Sequence, residues 1–262
     1  MQYDHGLFAA IPLWGIFIVT LLLVLLSVEG GYRWAKYKQK RSEQEKEAPV
    51  GAMVGATLGL LAFLLAFTFG MAADAFHARK HAIVAEANAI GTTYLRTGLI
   101  REPHRTQVRK VLRDYVQERL QWAVVEKVKV VHSSKELHNR LWAQAAAVGE
   151  KNPGSEVAAL FIESVNDVID LHAERVMLRE RSRIPGTYWI VLYVVSIFAL
   201  GAMGYHGGVA GTTRSPVMLA VAIAFSAVIL LIADLDRPGE GWVNVSQEAI
   251  IDLRDSMTES KP

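Results

Sequence analysis

VGAMVGATLGLLAFLLAFTFGMAA, Val50 to Ala73, holds no charged residue over 24 positions. That is enough for a helix to cross the ~30 Å hydrocarbon core of a bilayer. Asp74 follows at once. AFHARKHAIVAEANAIGTTYLR then continues in good helix formers, with no Gly or Pro until Gly91. The segment predicts one long helix, half in lipid and half in water, joining a membrane part to a soluble part.

Working outward, three more apolar blocks lie at Leu7–Val28, Tyr188–Tyr205 and Pro216–Ala233, each free of Asp, Glu, Lys and Arg. Blocks of this length and purity mark membrane spans. Between the second and third lies a polar region of about 110 residues, large enough for a small domain. The boundaries expected are 1–29 for the N-terminal tail and first span, 30–49 for a basic loop, and 50–74 for the second span. The extramembrane helical bundle follows at 75–184, the third span at 185–206, a short loop at 207–215, the fourth span at 216–234, and a tail with a short helix at 235–262. The 262 residues carry a net charge of +2, too little to point to nucleic acid as a partner. With no cysteine in the chain, disulfides, thiolate metal sites and cysteine nucleophiles are excluded.

MQYDHG lacks the positive start of a secretory signal, so the first block is expected to be a retained span ended by Gly30-Gly31. Arg33, Lys36, Lys38, Lys40, Arg41 and Lys46 crowd the loop that follows. The positive-inside rule puts this loop in the cytoplasm, and the helical region between spans two and three outside. The loop can also grip anionic lipid heads. The expected location is a cell inner or plasma membrane, crossed several times.

The polar region reads as helical throughout. After the turn at Arg101–Pro103, apolar residues recur at Val108, Val111, Leu112, Tyr115, Val116 and Leu120, the spacing of an amphipathic helix. Val124–Val131 fits a helix end or a short extended piece. Ser133 or Ser134 is expected to cap a helix through Leu137, Leu141 and Trp142. Lys151–Gly154 forms a turn, and Ser155 caps a last helix bearing Val157, Leu160, Phe161, Val165, Val168, Leu171 and Val176. In the tail, Asn244 or Ser246 caps a short helix with Ile250, Ile251 and Leu253 on one face. No strand alternation, phosphate loop or internal repeat is present.

LLAFLLAFTFGMAADAFHARKHAIVAEANAIGTTYLR, then REPHRTQVRKVLRDYV, then LLIADLDRPGEGWVNVSQEAIIDLRDS resemble the bacterial bestrophin-like domain proteins, in the same order and spacing. The resemblance implies kinship with bestrophins: pentameric anion channels with four spans per subunit and a helical domain between spans two and three. It also implies an apolar pore neck from span two with residues repeating every four, a spacing matched here by Phe63, Phe67 and Met71. The basic loop sets the helical region outside, whereas the bestrophin domain is cytoplasmic.

Three constellations stand out. Gly51, Gly55 and Gly59 recur every fourth residue and continue as Phe63, Phe67 and Met71. Small residues at that spacing let helices approach closely, so this stripe lines a pore, packs subunits together, or packs within one chain. Asp74, Arg79, Arg181, Arg183, Asp234, Asp236 and Arg237 fall at span ends on one side of the membrane. They form either a ring of acids that attracts cations or a salt-bridge belt. Asp234, an acid at a helix C-terminus, needs a partner there, such as Arg237 or an arginine of RERSR. Asp74, His77 and His81 share a helix face and offer zinc binding or pH sensing, against the plainer reading of solvated side chains.

Nothing resembles a nucleophile–base pair, so an enzyme is not expected, and no cofactor is implied. The expected fold is all-α, four transmembrane helices with a helical bundle inserted between spans two and three. Lipid, inorganic ions and further copies of the chain are the expected partners. The expected function is a homo-oligomeric ion channel, with a pentamer implied by the resemblance. The rival is a non-conducting, membrane-anchored interaction or sensor module.

Overall fold

The computed structural model describes residues 11–40, 47–121, 127–180, 183–211, 216–237 and 241–259. Every regular element among them is helical. The chain order is α1 (Leu13–Gln39), α2 (Glu47–Arg96), a short 3-10 turn (Thr97–Leu99), α3 (His104–Gln121), α4 (Lys127–Lys151), α5 (Glu156–Glu180), α6 (Gly186–Val209), α7 (Pro216–Leu235) and α8 (Glu248–Glu259). Four of these, α1, α2, α6 and α7, are long and apolar enough to cross a membrane. At 50 residues, α2 is about 75 Å long, more than twice a hydrocarbon core. The chain divides into two compact units, residues 1–76 with 183–243, and residues 77–182 with 244–262.

In the first unit, α1 packs along α6 and against α7. Ile16, Val24 and Val28 of α1 meet Trp189, Leu192 and Leu200 of α6 and Ile229 and Ile232 of α7 in one buried cluster. Gly30-Gly31 does not end α1, contrary to the sequence expectation; the helix runs on to Gln39. Close approach explains why. A Cβ built at Gly31 would overlap the Gly201 carbonyl oxygen, one at Gly204 would overlap the Val28 carbonyl, and one at Gly208 would crowd Ala35 and the Tyr32 carbonyl. The glycine seam thus brings two backbones together, offsetting the weak helix propensity of glycine. Thr20 Oγ1 and Tyr193 Oη, 2.7 Å apart, add a hydrogen bond between the same helices.

The second unit is a bundle in which α3 packs on α4, α4 on α5, and α8 on α3. Its core holds Ile83, Ile90 and Tyr94 of α2, Val108, Leu112 and Tyr115 of α3, Leu141 and Ala145 of α4, and Phe161, Val165 and Val168 of α5. Two expectations are corrected here. Ser133 and Ser134 lie inside α4, which already starts at Lys127, so neither caps it. On α8 the buried residues are Ile250 and Met257, while Ile251 is exposed. Ser155 does cap α5, its Oγ accepting the Ala158 N–H at 3.3 Å, and Ser246 Oγ accepts the Glu248 N–H at the start of α8.

Candidate functional site

Within the first unit, α2 presents two contrasting faces. Val54, Leu61, Thr68 and Ala72 are buried. Their spacing of seven and four keeps them within a narrow arc, since each residue turns the helix about 100°. Opposite them stand Phe63, 66% exposed, and Phe67, 53% exposed, their rings stacked at a centroid distance of 6.5 Å. Gly55, Gly59 and Gly70 open onto empty space. Only 11% of the most apolar stretch of α2 is buried within the chain, against 28% in each of the other spans.

The stripe read from sequence does not hold its direction. Each step of four residues drifts by about 40°, so the row from Gly51 to Met71 winds around the helix. Its two ends turn toward the rest of the chain. Gly51 sits against the His206 imidazole, and Met71 is half-buried. The position that continues the outward face beyond Phe63 and Phe67 is Asp74, which is exposed. Among the described residues it has neither a hydrogen bond nor an ion pair.

The other acids expected beside Asp74 are used differently. Asp234 is 2% exposed at the end of α7, and its carboxylate accepts the N–H groups of Trp242 at 2.8 Å and Val243 at 3.1 Å. Two amide donors thus answer the helix-end penalty that the sequence assigned to an arginine. Gly241 is required there, because a Cβ would overlap Asp234 Oδ1. Asp236 Oδ1 accepts the Ile184 N–H at 2.7 Å, tying the end of α7 to the chain entering α6. Arg237 is buried and donates to the Ile11 carbonyl at 2.7 Å. Arg183 is half-buried, and Arg181 lies outside the described residues.

The bundle contains a polar centre that sequence reasoning missed. Glu86 of α2, wholly buried, is bonded by Arg175 and lies 3.1 Å from Arg119 Nε. The Tyr115 hydroxyl donates to Glu86 Oε1 at 2.6 Å and sits 3.0 Å from His172 Nδ1. Since the phenol proton is committed to Glu86, His172 Nδ1 must be the donor to the phenol oxygen. Arg175 also donates to Gln247 at 3.0 Å. The His138 ring stacks edge-on to His172 with centroids 4.5 Å apart, and its Nε2 is buried without a hydrogen bond among the described residues.

Burial acts to raise the Glu86 carboxyl, but His172, Arg119, Arg175 and Tyr115 outweigh it and hold it down to about 2. Burial, and then Glu86, push the Tyr115 phenol well up, while burial lowers Arg119. Burial first, then His172, brings His138 down to about 4, with Glu86 opposing and Arg119 assisting. The only sequence signal for this centre was a set of polar residues at core positions of amphipathic helices, and periodicity does not name their partners. His77 and His81 are exposed, and no group of three His, Asp or Glu side chains able to hold a metal exists among the described residues.

Four apolar helices in one unit and a helical bundle in the other define a polytopic all-α membrane protein. The chain belongs to the Bestrophin-like domain family, whose model matches residues 18–250. No curated protein matches the sequence. Its fold is similar to that of a crystallised membrane protein carrying one substitution, at TM-score 0.65 and 13% identity over 94% of this chain and 98% of the other. A point variant of a bacterial bestrophin homologue from Klebsiella pneumoniae matches at TM-score 0.63 and 11% identity, again over 94% and 98%. Another structure of the Klebsiella pneumoniae homologue matches at 0.60 and 13% over the same shares.

Proposed function

We propose that the chain assembles around its α2 helices as a homo-oligomeric ion channel, with Phe63 and Phe67 forming the constriction. The observation that carries this reading is the outward face of α2. Two exposed, stacked phenylalanines and three glycines with open space before them share this face, and the same face then presents a carboxylate. A carboxylate at the end of such a face suits the hydrated mouth of a pore. Kinship with bestrophins supports a pentamer. The basic residues from Arg33 to Lys46, the first of them on the last turns of α1, support a plasma or inner membrane location with the bundle on the extracytoplasmic side.

The test is ion flux from liposomes holding the purified protein, run separately for chloride and potassium. Flux of either ion is expected, with Phe67→Ala changing unitary conductance at equal protein content. Absence of flux of both ions across a range of voltage and pH, from folded oligomeric protein, would leave the non-conducting interaction module as the reading. Topology is checked with Ser42→Cys and Ser155→Cys in the cysteine-free chain. An impermeant reagent applied to intact cells should label the second only.

A further inference from the structure

Resting on that channel reading, we infer that Asp74 sets the charge preference of the pathway and makes it cation-selective. The sequence places several acids near span ends, but the structure separates them into two kinds. Asp234 and Asp236 are buried, and their carboxylates are occupied by the amides of Trp242, Val243 and Ile184. Their charges are held inside the fold rather than presented to solvent. Asp74 alone of the three is exposed, with no hydrogen bond or ion pair among the described residues. By helical geometry it lies within about 20° of the directions of Phe63 and Phe67 and about 10 Å beyond Phe67 along the axis. Arg79 and Lys80, the next basic residues on the helix, are turned from Asp74 by roughly 100° or more, and Arg79 is buried.

A ring built from copies of α2 therefore places one exposed carboxylate per subunit a short step past the apolar constriction. Water is scarce at such a constriction, and low-dielectric walls concentrate the field of charges at its mouth. Several carboxylates there raise the local concentration of cations and repel anions. A monovalent cation such as potassium is the ligand class the site takes, held by charge and hydration.

The experiment is bilayer recording of the full-length protein under a potassium chloride gradient, comparing the wild type with Asp74→Asn, Asp74→Glu and Asp74→Cys. The wild type is expected to prefer potassium, Asp74→Glu to keep the preference, and Asp74→Asn to reduce the potassium-to-chloride permeability ratio by roughly fivefold or more. The effect should shrink as salt is raised, because mobile ions screen the ring. Asp74→Cys gives an internal check in one folded protein, with a negatively charged thiol reagent restoring the preference and a positively charged one reversing it. A conducting wild type that prefers chloride, or an unchanged ratio in Asp74→Asn and after both reagents, would overturn the inference and leave the channel standing. Absence of conductance in the wild type would overturn both.

Discussion

Glu86→Gln isolates the energetic logic of the bundle. Glu86 is wholly buried, with Arg119 and Arg175 against its carboxylate and Tyr115 donating to it. The amide keeps the shape and removes the charge, leaving two guanidinium groups together in a core. Breaking a buried ion pair from one side costs about 3–5 kcal/mol, because the orphaned charge keeps its desolvation penalty. For a chain of this size each kcal/mol moves the melting temperature by about 2–4 °C, so a fall on the order of 10 °C is expected. The assay is thermal unfolding of the full chain in detergent, followed by far-ultraviolet circular dichroism. A companion variant, Glu86→Leu with Arg119→Met and Arg175→Met, removes all three charges together. It should recover most of the loss, since apolar groups of similar volume replace buried ion networks at little cost. The pH profile supplies a second readout. The Glu86 carboxyl titrates at about 2 in the folded chain against 4.5 unfolded, so its contribution is complete above 4.5 and is lost as pH falls from there toward 2. Glu86→Gln should lack that loss. A melting temperature within 2 °C of wild type, or a companion variant no better than Glu86→Gln, would refute the reasoning.

His138 sets a second acid window. Its folded value of about 4 lies below the ordinary 6.5, so the unfolded chain binds the proton first and stability declines as pH falls from 6.5 to 4. Allowing for its partial contact with solvent, the loss should be about 2 kcal/mol, and His138→Phe should flatten melting temperature across that window. Gly204→Ala drives a methyl into the backbone of Val28, where no side chain can yield. It should weaken the α1–α6 seam by about 1–3 kcal/mol or more. Gly30→Ala, facing open space, should be neutral or stabilising by up to about 1 kcal/mol, and equal melting of these two variants would count against the seam.

How much could be read ahead of the fold depended on how local the cause was. The spans were legible because an uncharged run of twenty or so residues has few other places to go. The caps at Ser155 and Ser246 were legible because they bond residues two or three positions away. Local rules failed where a partner came from far along the chain. Gly31 reads as a helix end until Gly201, 170 residues later, comes close enough to exclude a Cβ. Asp234 was expected to meet an arginine, and the loop amides of Trp242 and Val243 reached it.

The sequence by itself determined a four-span helical membrane protein with a helical region between its second and third spans, because lipid admits few ways to hide a backbone. It also set the order of the helices and the apolar face of most of them. Only the tertiary structure decided which acids are buried within the fold and which stands exposed, and which polar residues of α2, α3, α4 and α5 meet around Glu86. It also decided which glycines carry the packing. Charge and close approach act between residues distant in the chain, and periodicity along one helix is blind to what stands opposite.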